Sequence, residues 1–194
     1  MIDHLIELDK QLFLFFNGMH ATWLDPVMEM FSKTIASIPL YAFLLYHIYI
    51  VHKQRTWGIL LSIGLLILMT DQSTSGLMKP FFERLRPSHE PTLEGMVHIV
   101  NGYSGGKYGF ASSHAANTFG VAMFLSCLLK PEKPWISWLF LWAAFVSYTR
   151  IYLGVHYPGD IIVGALIGVV FGWLVFKLYI RTTILIENRR TSPS

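Results

Sequence analysis

Five long apolar segments, separated by polar stretches, dominate the pattern of the chain. A membrane-spanning helix needs about 20 predominantly apolar residues, within a range of roughly 17–25. The predicted limits of the five segments are about 26–51, 56–80, 113–129, 135–151 and 158–180. Asp25-Pro26 and Pro158 suit helix starts, while Pro39 predicts a kink within the first segment. The pattern therefore predicts an all-α, polytopic membrane helical bundle with about five transmembrane helices.

Residues 2–16 have the pattern of an amphipathic helix rather than that of a span. Asp3, Glu7 and Lys10 fall on one side of this helix. The apolar side carries Ile2, Leu5, Ile6, Leu12, Phe13 and Phe16. Because the segment is too short and too charged to cross a bilayer, we expect an interfacial helix that ends near Asn17.

The segments combine into a single predicted domain over 1–194. Residues 1–22 would form the interfacial helix, 26–180 the transmembrane bundle and 181–194 the tail. Within the bundle, residues 81–111 make a long, polar, glycine-rich connection. Connections of this length are usually functional or mobile, so this one is a candidate for part of a site.

Composition supports a membrane protein. The chain is 53% hydrophobic and only 14% charged, whereas a soluble domain typically carries about 25% charged residues. The 15% aromatic content suits belts at the membrane interface. Cys127 is the single cysteine, so it cannot form an internal disulfide. We expect membrane lipids as partners and no nucleic acid; the composition leaves the oligomeric state open.

The distribution of charge predicts the orientation. Alternate connections of a five-span bundle lie on opposite sides of the membrane. The side with 52–55, 130–134 and the tail from Lys177 onward carries eight Lys or Arg residues against two acids, and the other side carries seven against nine. Cytoplasmic loops are enriched in Lys and Arg, so the C-terminus is predicted to be cytoplasmic. The small chain suggests a multi-pass protein of the bacterial inner (cytoplasmic) membrane, with 81–111 on the periplasmic face.

Ionisable residues stand at the ends of the apolar segments, where they are costly and by default mark a functional site. The candidates, all on the predicted periplasmic face, are Lys79, Arg86, Ser112, Ser113, His114, Arg150, His156 and Asp160. Three cations, two histidines and a carboxylate are typical of a site for an anionic group, and phosphate is the leading candidate.

The spacing also indicates what these residues could do. His156 and Asp160 are four residues apart, so they can share a helix face. The carboxylate would accept one ring N–H and leave the other nitrogen free as a nucleophile or base. His114 could protonate a leaving alkoxide, and the cations could hold the phosphoryl oxygens. A structural His–Asp pair, a snorkelling Lys79 and a simple N-cap at Ser112 are the alternatives when each is taken alone.

Three ordered segments carry a family resemblance. They are Lys79-x6-Arg86-Pro87, Ala111-Ser112-Ser113-His114 and Arg150-x5-His156-x3-Asp160. Their order and spacing resemble the three signatures of the type 2 phosphatidic acid phosphatase (PAP2) superfamily, over about residues 56–180. Three departures accompany the match. Alanine and serine at 111 and 113 stand where the family usually has proline and glycine, and threonine at 149 replaces a serine.

The resemblance implies a role for each residue. His156 would attack phosphorus to form a phosphohistidine, and Asp160 would orient the His156 ring. His114 would protonate the leaving group and then help to activate water. The phosphate would be bound by Lys79, Arg86, Ser112, Ser113 and Arg150. The resemblance implies no metal and no other cofactor.

The resemblance therefore predicts a metal-independent lipid phosphate or pyrophosphate phosphatase that acts at the outer leaflet. Isoprenoid pyrophosphate, phosphatidylglycerol phosphate, phosphatidic acid and lipid A phosphate are all candidate substrates, and an isoprenoid or glycerolipid phosphate is favoured. A lipid phosphotransferase with the same phosphohistidine is the alternative. A haloperoxidase and a non-catalytic lipid-binding protein are less favoured. Arg84 is near the site but off the signature spacing, and it is interpreted as a solvated or headgroup-contacting residue. Gly164, Gly168 and Gly172 are interpreted as a stripe for close helix packing.

Overall fold

The computed structural model describes residues 2–131 and 133–191. Glu132 of the predicted cytoplasmic loop and residues 192–194 of the predicted tail lie outside the described residues. The helices are α1 (Ile2–Asn17), α2 (Asp25–Ser32), α3 (Ile38–His52), α4 (Thr56–Asp71), α5 (Lys79–Phe82), α6 (Ser113–Leu129), α7 (Leu139–Tyr152) and α8 (Pro158–Thr191). The described part of the chain has no strand beyond one isolated bridge, between Leu85 and Tyr108. The all-α prediction is confirmed.

The first predicted segment is divided, and the kink predicted at Pro39 was wrong. Lys33 adopts an extended conformation that ends α2, and a 3-10 turn, Thr34–Ser37, leads into α3. Pro39 lies in the first turn of α3, where its missing N–H breaks no helical hydrogen bond. The change of direction therefore comes before the proline.

The second predicted segment extends two residues beyond its predicted end at 80. After α4 the chain continues as a π-helix, Gln72–Met78, and then as α5. The helix stops at Phe82 because Glu83 takes a left-handed conformation, with φ of 46°. π-Helical turns are often found at functional sites, and this one leads directly into Lys79.

The later segments follow the prediction more closely, except at the C-terminus. α6 has the predicted limits, and a 3-10 turn, Pro134–Trp138, precedes α7. The last helix is longer than the predicted span over 158–180, because α8 continues to Thr191. No glycine or proline occurs between Gly172 and Pro193, so nothing local stops the helix.

Among the residues that the structure describes, two helical stretches are long and apolar enough to cross a membrane, Thr34–Phe82 and Pro158–Arg189. Large apolar side chains also face outward, among them Trp57, Leu61 and Phe81, each about three-quarters exposed. Exposed apolar surface on this scale is typical of a lipid-facing protein.

α6 and α8 form the centre of the bundle, and the glycine stripe of α8 lies between them. A Cβ on Gly164, Gly168 or Gly172 would overlap the carbonyl oxygen of Ser112, Ala116 or Gly120, respectively. The absence of side chains on the stripe lets the two backbones approach closely. The prediction that the stripe packs one helix on another is confirmed, and this contact sets the position of the first turn of α6 against the first turn of α8.

The apolar side predicted for α1 is divided in the structure. Phe13 is fully buried and packs edge-on against Tyr157, with ring centroids 5.5 Å apart, whereas Leu5 and Leu12 are exposed. Asp9 lies one turn from Phe13 on the same face, and its carboxylate contacts the start of α8. α1 therefore packs against the bundle through a face that is partly polar.

Candidate active site

The predicted site residues come together where α5, α6, α7 and α8 begin or end. Gly109 illustrates how compact this region is. A Cβ at Gly109 would lie 3.1 Å from Arg86, 3.2 Å from Asp160 and 3.6 Å from His156. Residues from the long connection and from the start of α8 therefore share one site.

His156 and Asp160 form a buried pair. His156 Nδ1 lies 3.2 Å from Asp160 Oδ2, and their side chains are 2% and 0% exposed. The same carboxylate oxygen accepts the N–H of Tyr157 at 3.0 Å. This bond resembles a capping box, in which a side chain in the first turn accepts the N–H at the helix start. With its carboxylate fixed in this way, Asp160 can orient His156 with Nε2 directed away from α8.

The surroundings of His156 favour its neutral form. His156 lies in the connection between α7 and α8. Burial lowers its pKa to about 4, with the charges of Arg86 and Arg150 acting in the same direction and Asp160 opposing them. A histidine with this pKa is neutral near pH 7 and has a free electron pair on one ring nitrogen.

Arg150, at the end of α7, is buried and directed into the site. One of its terminal nitrogens donates to the Ser32 hydroxyl, and Nη2 donates to the Tyr103 hydroxyl at 3.1 Å. Its Nε is buried without a hydrogen-bond partner in the described part of the chain. A buried donor without a partner is costly, so this N–H is suited to an acceptor that arrives with a ligand.

Arg86 is held by main-chain groups rather than by acids. Its Nε donates to the Tyr108 carbonyl at 3.1 Å, and Nη1 to the Val155 carbonyl at 3.4 Å. Gly105 has φ of +66°, and a Cβ there would lie 2.6 Å from Arg86 Nη1. Glycine is therefore required at this point both by conformation and by the close approach of the guanidinium.

Lys79 is fixed by two serine hydroxyls. Its Nζ donates to Ser75 and to Ser113, each at 3.0 Å. Ser113 is the first residue of α6 and has no positive φ, so replacing the family glycine with serine brings no backbone strain. Its hydroxyl also contacts Thr74 and Ser75, at 2.9 and 2.7 Å. The substituted serine thus joins Lys79 to the start of α6.

Lys79, Arg86 and Arg150 share one electrostatic property. Across residues 2–131 and 133–191, none of them lies within ion-pair distance of a carboxylate. Three mutually close cations without counter-ions repel one another, and the arrangement becomes favourable when an anion binds between them. The geometry is therefore that of an anion site.

The start of α6 completes the site. Ser112 is its N-cap residue, with Oγ accepting the Ala115 N–H at 3.5 Å, and the Ser112 N–H donates to the Asp160 carbonyl at 3.0 Å. His114 is half-buried and lines a cavity of about 490 Å³. The rest of that cavity is mainly apolar, with Leu44, Ile48, Ile63, Ile67, Val121 and Leu125 among its lining residues.

Two residues of the site, Arg84 and Asp9, were not identified from the sequence. Arg84 was interpreted as solvated or in contact with headgroups, which was wrong. Its Nη1 donates to Asp160 Oδ1 at 2.8 Å and its Nη2 to Asp9 Oδ2 at 2.7 Å. The one available signal was the position of Asp9 on the face of α1 that carries Phe13 and Phe16, because a carboxylate on a buried face needs a partner.

The PAP2 superfamily model matches residues 55–184 of this chain. The chain belongs to the PAP2 superfamily. The match spans the region from α4 into α8 and includes every predicted site residue, so the resemblance seen in the three motifs is confirmed.

Two relatives of this PAP2 protein are lipid A 4'-phosphatases. It is 42% identical to a lipid A 4'-phosphatase of Bacteroides thetaiotaomicron over 100% of this chain and 86% of the relative. It is 37% identical to a lipid A 4'-phosphatase of Porphyromonas gingivalis over 92% of this chain and 76% of the relative. The protein is therefore a hydrolase, a PAP2 phosphatase that acts on lipid phosphates.

Solved structures agree with the fold. The crystal structure of Aquifex aeolicus LpxE has a TM-score of 0.65 and 31% identity, over 88% of this chain and 95% of that one. The transmembrane PAP2-type phosphatidylglycerolphosphate phosphatase of Bacillus subtilis also has a TM-score of 0.65, at 21% identity, over 90% of this chain and 86% of that one. The PAP2 phosphatase shares the helical fold of these two proteins.

Proposed function

We propose that this PAP2 phosphatase hydrolyses its lipid phosphate through a phosphohistidine at His156, without a metal. The observation that carries the proposal is the position of a neutral, buried histidine, held by Asp160, beside three cations that lack counter-ions. A dianionic phosphate among Lys79, Arg86 and Arg150 would have its charge neutralised and its phosphorus presented to the ring nitrogen.

The reaction would take two steps. In the first, the Nε2 electron pair of His156 forms a bond to phosphorus while the P–O bond to the lipid breaks, and the lipid oxygen takes a proton from His114. In the second, His114 takes a proton from water, and the water oxygen displaces Nε2 to release inorganic phosphate. Each histidine returns to its starting state, as a phosphatase requires.

The cavity beside His114 supports a substrate with a large apolar part. Proton transfer to the leaving oxygen requires that oxygen to lie at His114, and the apolar lining begins there. An apolar lining can accept the acyl or prenyl part of a lipid without the cost of exposing it to water. Because relatives at 42% and 37% identity are lipid A 4'-phosphatases, we infer that a lipid A phosphate is the first substrate to test, ahead of the isoprenoid and glycerolipid phosphates favoured by sequence alone.

We also propose that the single domain crosses the bacterial inner membrane five times, with the site on the periplasmic face and α1 in the interface. The exposed apolar side chains and the charge asymmetry support this arrangement. A cysteine introduced at Ser104 should react with an impermeant thiol reagent from outside, and one at Lys133 only from inside, in a Cys127→Ala background. The opposite pattern would invert the orientation.

The central experiment measures inorganic phosphate released by the purified protein from a panel of lipid phosphates. We expect His156→Ala to abolish release, because the substitution removes the proposed nucleophile. His89→Ala is the matched control, since His89 is an exposed histidine of the long connection, and its activity should equal that of the parent. EDTA should leave the parent active.

Three outcomes would contradict the proposal. Phosphate release by His156→Ala at the parental rate would exclude His156 as the nucleophile. Inhibition by EDTA that Mg²⁺ reverses would exclude the metal-free mechanism. With a substrate that carries a labelled phosphate, transfer of the label to a second lipid without release of inorganic phosphate would identify a phosphotransferase.

A further inference from the structure

The carboxylate of Asp160 uses both oxygens, and only one of them faces His156. Oδ2 contacts His156 Nδ1 and the Tyr157 N–H. Oδ1 accepts from Arg84 Nη1 at 2.8 Å. The rotation of the carboxylate about its Cβ–Cγ bond therefore depends on Arg84, which occupies one of the unspecified positions between Lys79 and Arg86 of the first signature.

Arg84 is itself positioned from a third element. Its Nη2 donates to Asp9 Oδ2 at 2.7 Å, and its guanidinium carbon lies 4.1 Å from the centroid of the Tyr157 ring. Arg84 follows the end of α5. Burial lowers its pKa, but Asp160 and Asp9 more than offset this, so that the pKa is raised and the side chain stays charged. The guanidinium is thus held on two carboxylates and one aromatic face.

Asp9 connects α1 to the same helix start. Its Oδ1 accepts the N–H of Gly159 at 2.8 Å, which is one of the N–H groups left free in the first turn of α8. A Cβ at Gly159 would lie 2.6 Å from Asp9 Oδ2. The carboxylate therefore fits against the backbone with no space for a side chain at 159.

These contacts form one chain of charged groups from α1 to the nucleophile. We propose that Asp9 and Arg84 are positioning residues for the reaction, Asp9 holding Arg84 and Arg84 holding Asp160 in the rotation that orients His156. Neither residue touches the phosphate. The proposal rests on the function proposed for His156, and it makes α1 part of the catalytic apparatus rather than an anchor alone.

If α1 only anchored the chain to the bundle, the variants would behave differently, and Lys10 on the same helix provides a matched control for that alternative. Lys10, the next residue, forms an ion pair with Glu90 at 3.3 Å and donates to Thr92 at 2.8 Å. Like Asp9, Lys10 therefore joins α1 to the connection over 81–111, but its contacts do not reach Asp160. If α1 only anchors, Lys10→Gln and Asp9→Asn should have equal effects on activity and on melting temperature.

The experiment measures kcat, KM and melting temperature for Arg84→Gln, Asp9→Asn, the double variant and Lys10→Gln, with the lipid phosphate that the parent hydrolyses best. We expect Arg84→Gln to lower kcat on the order of 10–100-fold, as loss of a partner that orients a functional histidine does elsewhere. KM should change by less than about 3-fold, because the phosphate contacts remain.

The double variant tests whether the two residues act in series. We expect Asp9→Asn to lower kcat by about 3–10-fold and the double variant to match Arg84→Gln. Asparagine keeps a side-chain oxygen that can accept the Gly159 N–H, so the substitution chiefly removes the charge that holds Arg84. Lys10→Gln should keep the parental kcat. Arg84→Lys serves if Arg84→Gln folds poorly. A single ammonium group cannot reach both carboxylates as the guanidinium does, so kcat should fall between the parent and Arg84→Gln.

The outcomes separate this proposal from the one on which it rests. If Arg84→Gln and Asp9→Asn keep the kcat of Lys10→Gln while His156→Ala is inactive, the positioning role is wrong and the nucleophile stands. Additive losses in the double variant would also overturn the serial arrangement. If His156→Ala retains the parental rate, the proposed function itself fails.

Discussion

The two sides of the site differ in how their charges are balanced. On one side Arg84 lies between the carboxylates of Asp9 and Asp160, with each ion pair under 3 Å. On the other side Arg86 and Arg150 bond to neutral carbonyl and hydroxyl oxygens, and their charges have no counter-ion in the part of the chain that the structure describes. We call these the paired side and the cation side.

The difference shows how similar residues serve opposite purposes. An arginine with two carboxylates is already satisfied, so it can hold a neighbour in place but has little to offer a ligand. An arginine on neutral acceptors keeps its charge available, and a phosphate gains the full attraction when it binds in a site with little water. The paired side thus supplies orientation, and the cation side supplies binding and charge neutralisation.

The largest effect is expected when the cation side loses one of its arginines. Arg150→Gln removes a charge and the buried Nε donor that has no partner among residues 2–131 and 133–191. We expect kcat/KM to fall by roughly 100–1000-fold, the usual loss when one donor to a developing oxyanion is removed. The measurement is phosphate release from the preferred lipid phosphate under steady-state conditions.

Arg55→Gln is the control for Arg150→Gln. Arg55 is exposed, directly precedes the start of α4 at the end away from Lys79, and pairs with Glu187. It should keep the parental kcat/KM, because exposed ion pairs contribute little to stability and Arg55 contacts no site residue. A loss below 10-fold in Arg150→Gln would show that the cation side does not bind the phosphate as inferred.

A second effect would separate α6, which carries His114, from α8, which carries Asp160 of the paired side. Gly168→Leu places a side chain where the Ala116 carbonyl already lies, so α6 and α8 must move apart. We expect a lower melting temperature, with a loss of about 1–3 kcal/mol or more in the free energy of unfolding. Activity should fall as well, because His114 on α6 would move away from His156.

Gly64→Leu is the matched control on α4. A Cβ at Gly64 has no neighbour within 4 Å among the described residues. It should leave melting temperature and activity near parental values, and glycine replacement in a helix can even stabilise it. Equal losses in the two variants would show that the effect comes from the added leucine rather than from the contact between α6 and α8.

The smallest expected effect tests whether the Ser113 hydroxyl holds Lys79 in its position. Ser113→Gly restores the usual family residue but removes the hydroxyl to which Lys79 Nζ donates at 3.0 Å. One hydrogen bond contributes about 1 kcal/mol, so we expect KM to rise about 3–5-fold with kcat within about 2-fold. Ser62→Ala, which removes an exposed hydroxyl bonded within α4, should change neither constant. An unchanged KM in Ser113→Gly would show that Ser75 alone holds Lys79.

The helices and the candidate residues followed from local features of the chain. Apolar segments of sufficient length form helices wherever no breaker intervenes, and a group of ionisable residues at their ends on one side of the membrane is by default a candidate functional site. The end of α2 at Lys33 could not be predicted in the same way. Lys33 has no distinctive turn sequence, and the extended conformation there places Ser32 where it accepts from Arg150 on α7.

What the sequence by itself determined is the helical class, the order of the elements and the identity of His114, His156 and the cations as site candidates, because these depend on composition and on spacings of a few residues. Only the tertiary structure decided which cation is paired and which is free. Arg84 meets Asp9 and Asp160 across 75 and 76 residues, and Asp9 meets Gly159 across 150. The partner of a charged group is set by which helix ends pack together, and no local pattern of the chain carries that information.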